Sequence, residues 1–462
     1  MSVSIRDVMT DPALFGDQFS GDSWAPWTSL LCGFYGLALN REERRIFHSI
    51  TRRSSSPKEA CEELWLVVGR RGGKSQCAAL LAVFIAAFHD YSDRLSPGEV
   101  ATCAVLAADR KQARSVFRYV VGLLHSNPML SSMIVREDKE GIELSNRTVI
   151  EVGTASFRST RGYSFCAVIA DEIAFWRSED SANPDREIID AIRPGLATLN
   201  GKLICLSSPY ARRGELWETY KRHFGQDGPI LVAQAPTRIM NPSLPQRVIT
   251  RAYHRDEASA RAEYGAEFRT DVESFVTLEA LESVTRPSPL VRPYDSRYGY
   301  VAFVDPAGGG KDEYTMAIGH REGDILCIDR VDAARGVPAE ITARYSGVLR
   351  EYNVKRINLD KYGGSWPADE FGKHGITAEH SPKVRSELYI DSLPAIASER
   401  VELPPDERMI QQWTTLERRT SRAGRDSVDH APGAHDDRAN AVAGLIALHG
   451  QVKPYVPIRS WL

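Results

Sequence analysis

Two sets of residues have the types and spacing that phosphate chemistry needs. The first begins at residues 64–76, LWLVVGRRGGKSQ, where an apolar run breaks into glycines and arginines and then Lys-Ser. Gly72 and Gly73 let backbone N–H groups approach phosphate oxygens, Lys74 can reach β- and γ-phosphates, and Ser75 can ligate Mg²⁺. Arg70 and Arg71 stand within reach of the same phosphates. The standard loop reads G-x-x-x-x-G-K-[ST], and the place of its first glycine is taken by Val68, with Gly69 one residue late. A preceding apolar strand and a following helix supply the context in which a helix N-terminus receives an anion. The plain alternative is a glycine-rich turn with an incidental lysine.

The partner of that loop is FCAVIADEIAFW, an apolar run ending in Asp171-Glu172. Asp171 suits the Mg²⁺ hydration shell and Glu172 suits the water that attacks the γ-phosphate. An acidic pair at a strand end also serves as a helix N-cap, but a lysine loop after an earlier strand favours the nucleotide reading. TCAVLAA lies between loop and acids in the sequence and points to the ATPase branch that uses a glutamate base. KLICLSSPY then ends in Ser207-Ser208, whose hydroxyls can sense a γ-phosphate or simply form a turn. In FRSTRGYSF, Arg161 precedes a glycine and is either a surface arginine or a finger that reaches a neighbouring subunit's γ-phosphate; such fingers contribute roughly 10³–10⁵ in rate. Which of Arg70, Arg71 and Arg161 plays that part stays open.

The second set is acidic. YVAFVDPAGGGKDEYTMAIG offers Asp305 and Asp312, KRINLDKYGG offers Asp360, and PGAHDDRANAVAGLIALHG offers Asp436 and Asp437 at a helix start. Two Mg²⁺ or Mn²⁺ ions about 4 Å apart, clamping the attacking and leaving oxygens of a phosphodiester, need such a carboxylate cluster. Each acid has an ordinary alternative as a cap, turn residue or ion-pair partner. Asp436 and Asp437 lie about 100° apart on a helix, so either can hold the metal. His435 is a ligand or a capping residue. Arg418, Arg419, Arg422 and Arg425, in a stretch expected to be a flexible basic segment, can contact a phosphate backbone without reading sequence.

The elements that must position these residues follow from hydrophobic pattern. From about residue 63 to 209, LWLVV, TCAVLAA, TVIEVG, CAVIAD and KLICLSS alternate with helical stretches, and their continuous apolar character suits a parallel sheet covered on both faces. Residues 235–293 turn polar, helical and proline-punctuated. YGYVAFVD, YTMAIGHRE and DILCIDRVD then read as consecutive strands, followed by a helix over 338–352 and the strand RINLD. That order is the order of an RNase H-like core. The expected division is a P-loop ATPase domain over 1–234, a helical lid and linker over 235–293, an RNase H-like α/β nuclease domain over 294–450 and a tail over 451–462.

Composition narrows the field. A net charge of −3 over 462 residues advertises no global nucleic-acid affinity, so any such surface is local. The seven cysteines form no C-x-x-C pair and read as buried thiols in a reducing compartment. The start has no signal-peptide pattern, and the longest apolar run, 77–88, falls short of the ~20 residues of a membrane span. A cytoplasmic protein is expected.

The deviant phosphate loop, the Asp-Glu pair, the Ser-Ser-Pro strand and the HDDRANA helix together resemble the large terminase subunit of tailed bacteriophages. The resemblance implies an ATPase that drives double-stranded DNA into a procapsid and an RNase H-like endonuclease that cuts the concatemer. It implies ATP with Mg²⁺ at Lys74, Ser75, Asp171 and Glu172, coupling through Ser207 and Ser208, and Arg161 acting in trans. The nuclease triad becomes Asp305, Asp360 and Asp437, with Asp312 and Asp436 as neighbouring acids and two Mg²⁺ or Mn²⁺ ions. Residues 24–53 resemble the adenine-side segment. Implied partners are a portal protein, a small terminase subunit and further copies in a pentameric ring, in the cytoplasm of an infected bacterium and docked on the portal. The tail 451–462 either docks on such a partner or is disordered. The rivals are a helicase-nuclease or transposition-type ATPase, and a non-catalytic DNA-binding scaffold.

Overall fold

A computed structural model of the chain describes residues 3–108, 110–155, 162–176, 184–306, 312–361, 365–420, 426–431 and 434–450. The chain forms two compact units that meet in sequence at Thr270 and Asp271.

The first unit is built on eight strands: β1 (Glu63–Val68), β2 (Ala101–Ala107), β3 (Ile134–Glu137), β4 (Gly141–Leu144), β5 (Thr148–Thr154), β6 (Phe165–Asp171), β7 (Lys202–Ser207) and β8 (Ile230–Ala235). Their order is β3-β4-β5-β2-β6-β7-β1-β8. The run from β5 to β8 is parallel, and β3 and β4 extend it as an antiparallel edge. Burial on both faces explains the unbroken apolar strands. Leu64, Leu66 and Val68 face one core with the helix Lys74–Phe88, while Trp65 and Val67 face another with Ile188, Ile192 and Leu216. The helix after the loop is apolar nearly all round because it is buried from Cys77 to Ala86.

Strand order in space differs from order in the sequence. TCAVLAA, which lies between the loop strand and the acidic strand in the sequence, is β2 and in space lies on the far side of β6. The strand that separates β1 from β6 in space is β7, which carries Ser207. Sequence order cannot distinguish these arrangements, because parallel strands are joined by crossovers of either reach.

Residues 235–293 divide between the units. Helices Thr237–Met240, Gln246–Arg255 and Glu257–Glu263 group with the first, and the chain from Asp271 belongs to the second.

The second unit contains β9 (Val272–Ser274), β10 (Tyr300–Asp305), β11 (Tyr314–Glu322), β12 (Ile325–Ala334), β13 (Arg356–Leu359), β14 (Thr377–His380), β15 (Val401–Glu402), β16 (Leu416–Thr420) and β17 (Asp426–His430). Its main sheet has the order β14-β13-β10-β11-β12-β15. Strands β10, β11 and β12 form an antiparallel meander, and β13 returns parallel to β10 after the helix Pro338–Glu351. This is the RNase H-like arrangement expected from the sequence. Alternate β10 residues separate two cores: Phe303 packs with the final helix Asp437–His449, while Ala302 and Val304 pack with Ile341 and Tyr345. Gly444 permits the close approach, since a Cβ there would sit 2.5 Å from the Phe303 ring.

A small sheet of order β17-β16-β9 completes the unit. The expected flexible basic segment is thus, among the described residues, a β-hairpin, because the run alternates side chains across two paired strands.

Candidate active sites

In the parallel sheet the C-terminal ends of β1, β7 and β6 lie side by side, with Val67 level with Ser207 and Asp171 level with Leu206. Open α/β sheets bind ligands at this edge. The phosphate loop leaves β1 and closes through Gly72 N–H donating to the Gly69 carbonyl at 3.1 Å. Arg71 and Gly73 both have positive φ, 62° and 95°. At Gly73 a side chain would be strained and its Cβ would meet Trp27 Nε1 at 3.0 Å. The first N–H groups of the following helix lack carbonyls one turn back and remain available to an anion.

The loop is braced from outside. Trp27 Nε1 donates to the Gly72 carbonyl at 3.0 Å, Thr237 Oγ1 to that of Arg70 at 2.8 Å, and Asn241 Nδ2 to that of Arg71 at 2.8 Å. The sequence pattern singled out neither Thr237 nor Asn241; both are plain polar residues whose role comes from long-range contact. Trp27 lies inside the segment likened to an adenine-side element. Arg70 pairs with Glu263 at 2.9 Å, so its guanidinium is engaged away from the loop's N–H groups. Ser75 is half-buried in the first helical turn.

Lys74 is 7% exposed and donates to the Val68 carbonyl and to Ser208 Oγ, both at 2.9 Å, with Glu172 Oε1 at 3.7 Å. Glu172 adopts φ 49°, a left-handed conformation costly for a glutamate. Its Oε2 accepts from Ser207 Oγ at 3.0 Å and from the Ser208 N–H at 3.1 Å. Loop lysine, acidic strand and Ser-Ser strand are therefore one hydrogen-bonded unit. Arg161 lies outside the described residues.

Asp171 is buried, and its Oδ1 has no hydrogen-bond partner among the described residues. Burial pushes its carboxyl up to about 7, Glu172 adds to the rise, and Lys74 opposes it. An orphaned buried carboxylate oxygen beside a phosphate loop fits a divalent cation held with Ser75. A measurable consequence follows without any ligand. The folded chain keeps this proton up to about pH 7, whereas an unfolded aspartate loses it near pH 3.9. Folded molecules therefore bind more protons in that window, and stability falls as pH rises through it. An asparagine side chain has no such proton to lose. The Asp171→Asn variant should match wild type in urea unfolding near pH 4 and exceed it by roughly 2–4 kcal/mol at pH 8 without nucleotide or Mg²⁺. A pH-independent difference would contradict this origin.

The second unit assembles its own cluster. Asp305 ends β10, and Asp360, 3% exposed, directly follows β13, which pairs with β10. Asn440 Nδ2 bridges the two carboxylates at 2.7 Å each, while its Oδ1 is buried without a partner among the described residues. Burial holds the Asp305 carboxyl well above its ordinary range, the Asp360 charge adds to this, and the Asn440 bond opposes it. Two mutually repelling carboxylates, Asp360 buried and Asp305 half-buried, joined by one amide are a hard-oxygen donor set that suits Mg²⁺ or Mn²⁺. Asn440 was not read from the sequence. Its spacing of three from Asp437 on a helix, which places both on one face, was the available signal.

Asp436 and Asp437 part company. Asp436 is held by Arg385 Nη1 at 3.1 Å and Tyr389 Oη at 2.8 Å. Asp437 accepts the Glu313 N–H at 2.9 Å, and one of its oxygens lies within 4.8 Å of a ligand atom each of Asp312 and His435. His435 Nδ1 is 3.4 Å from Asp312 Oδ1. Burial raises the Asp437 carboxyl, and the Asp312 charge adds to it. The acids thus fall into two groups, Asp305–Asp360 and Asp312–Asp437, with Asp436 neutralised by Arg385.

The hairpin arginines are engaged. Arg418 pairs with Asp426, its Nε at 2.8 Å, and Arg419 Nη2 with Glu417 at 3.1 Å. Arg422 and Arg425 lie outside the described residues, as does the tail 451–462.

No family model and no curated protein matches the sequence. Among solved structures, the large terminase of bacteriophage HK97 is 15% identical, with 88% of this chain and 95% of that chain covered and a TM-score of 0.39. The ATPase domain of the Thermus phage P74-26 large terminase is 17% identical over 52% of this chain and 97% of its own, with a TM-score of 0.37. The large terminase nuclease of thermophilic phage G20c is 16% identical over 37% of this chain and 96% of its own, with a TM-score of 0.33.

Proposed function

We propose that the chain is the large subunit of a viral terminase, an ATP-driven motor that moves double-stranded DNA into a procapsid and cuts it with a two-metal endonuclease. The observation that carries this reading is the presence, in one chain, of the Lys74–Glu172–Ser207–Ser208 unit on a parallel sheet and the Asp305–Asn440–Asp360 bridge on an RNase H-like sheet. In the first, the loop N–H groups and Lys74 hold the phosphates and Glu172 takes the proton of the attacking water. Ser75 and Asp171 would hold Mg²⁺, which supplies neutralisation of phosphate charge. Glu172 can act only after loosening from Ser207 and Ser208, so its proton chemistry is tied to β7. The loop is tied through Arg70, Thr237 and Asn241 to the helices of residues 237–263, which gives hydrolysis a path to move them. Arg161 of a neighbouring copy is the candidate trans finger.

In the second site, Asp305, Asp360 and Asp437, with Asp312 beside Asp437, would hold two Mg²⁺ or Mn²⁺ ions, which activate water and stabilise the leaving oxygen. Asp436 instead orients the helix start through Arg385 and Tyr389. Arg418 and Arg419 reach DNA phosphates by exchanging their carboxylate partners. A pentameric ring on a portal, a small subunit and the bacterial cytoplasm complete the setting. Among the described residues no helix is long and apolar enough to cross a membrane.

Displacement of a triplex-forming third strand from linear duplex DNA separates this reading from its rivals. A duplex translocase strips the third strand in an ATP-dependent way and leaves the duplex intact. A helicase-nuclease separates the duplex strands, and a scaffold does neither; either result would sink the proposal.

A further inference from the structure

We infer that the hairpin of β11 and β12 carries a third metal site, for Zn²⁺ or a chemically similar transition-metal ion, formed by His320 Nε2, Glu322 Oε1 and Cys327 Sγ. These three ligand atoms lie within 4.8 Å of one another. The placement follows from register. His320 and Cys327 are directly opposed across the hairpin, and Glu322, two residues on from His320, shares its face. A tetrahedral Zn²⁺ with bonds of about 2.0–2.3 Å needs ligand atoms about 3.3–3.8 Å apart. Nε2 and Oε1 stand 3.0 Å apart, so a few tenths of an ångström of movement by the exposed Glu322 side chain admits the ion.

A second feature points the same way. Gly319 pairs with Ile328 and Ile318 with Arg330, so Asp329 is the extra residue of a β-bulge. Bulges re-aim a side chain, and this one sets the fully buried Asp329 Oδ2 at 2.7 Å from His320 Nδ1. A carboxylate on Nδ1 orients the ring and strengthens Nε2 as a ligand, and an ion arriving between Nε2 and Glu322 Oε1 takes the place of the proton they share. Asp329 Oδ1 is buried with no hydrogen-bond partner among the described residues, a cost that a bare histidine in a sheet does not require. The Tyr298 ring covers the imidazole at 4.1 Å between centroids.

The charges balance. One thiolate, one carboxylate and a neutral imidazole neutralise a divalent ion, and the Arg292 charge, paired with Glu402 at 2.7 Å, favours the thiolate form of Cys327. Burial pushes the Cys327 thiol up to about 11, so metal binding there displaces a proton from sulfur. A Cys-His-carboxylate set selects zinc-class ions over Mg²⁺, unlike the all-oxygen acids of the nuclease candidate. The two sites are also apart. In the β10–β11 pair, Tyr300 faces His320 and Asp305 faces Thr315, five residues or ~17 Å along the strand. With three protein ligands the ion would pin the turn end of the hairpin, where Glu322 pairs with Ile325, and keep one position for water.

The test uses the full chain, stripped by chelator and titrated with Zn²⁺ or with Co²⁺ as a spectroscopic probe. Wild type and Asp305→Asn should each show a thiolate-to-cobalt charge-transfer band and retain a Zn²⁺ equivalent through desalting. Cys327→Ser should lose both. Since Glu322 is exposed, Glu322→Gln should fold normally and weaken Zn²⁺ by tenfold or more. No thiolate band in wild type, a band that survives in Cys327→Ser, or unchanged affinity in Glu322→Gln would each overturn the site. Loss of zinc in Asp305→Asn with retention in Cys327→Ser would assign the ion to the acidic cluster instead.

Discussion

ATP turnover by the Glu172→Ala variant should fall about 10²–10⁴-fold, while ATP still binds with nearly wild-type affinity. The asymmetry comes from what each group touches. On the proposed function, nucleotide binding would depend on the loop N–H groups, on Lys74 and on the Ser75–Asp171 pair, none of which passes through Glu172. Lys74 keeps its bonds to Val68 and Ser208 when the 3.7 Å glutamate contact is removed. What would be lost is the proposed acceptor for the water proton. The left-handed backbone at Glu172 should also relax little in alanine, so a reduced melting temperature is not expected to account for the loss. Single-turnover hydrolysis beside equilibrium binding of a fluorescent ATP analogue separates the effects. Retained turnover would remove Glu172 from the role of base, whereas loss of binding would make the residue structural.

DNA cleavage should be lost in Asp305→Asn by about 10³-fold or more, with ATP turnover unchanged. Charge stabilisation at a metal-assisted phosphoryl centre is worth several kcal/mol, and each 1.36 kcal/mol is tenfold in rate. Asparagine keeps the shape of Asp305 and removes the charge that ligation needs. It also removes the repulsion between Asp305 and Asp360, so the metal-free variant should melt no lower than wild type. That pairing of results, dead cleavage in a chain at least as stable, is what a ligand role predicts. A variant that cuts normally would return Asp305 to ordinary turn chemistry.

Local signals were legible in the sequence wherever one short stretch carries the whole arrangement. The apolar runs announced buried parallel strands, and the meander followed by a helix announced the second sheet. What was hidden depends on partners remote in the chain. The strand beside β1 is β7, a long-range pairing that no local pattern records. Asp436 and Asp437 are adjacent and chemically identical. They differ because Arg385 and Tyr389 face one and the Glu313 N–H faces the other. Arg418 looked like an unclaimed charge until the hairpin set it beside Asp426. Asn440 passed unnoticed because an amide among acids resembles any polar helix residue until two carboxylates converge on it.

On the proposed function, one chain carries two catalytic centres that work independently on ATP and on DNA. Cleavage of supercoiled plasmid by the full chain with Mn²⁺, Mg²⁺ or chelator, measured with ATP turnover in wild type, Glu172→Ala and Asp305→Asn, tests it most directly. Metal-dependent cutting that survives in Glu172→Ala and vanishes in Asp305→Asn, with turnover showing the reverse, is the predicted result. Cutting that persists in Asp305→Asn, or no cutting by wild type with either metal, would contradict it.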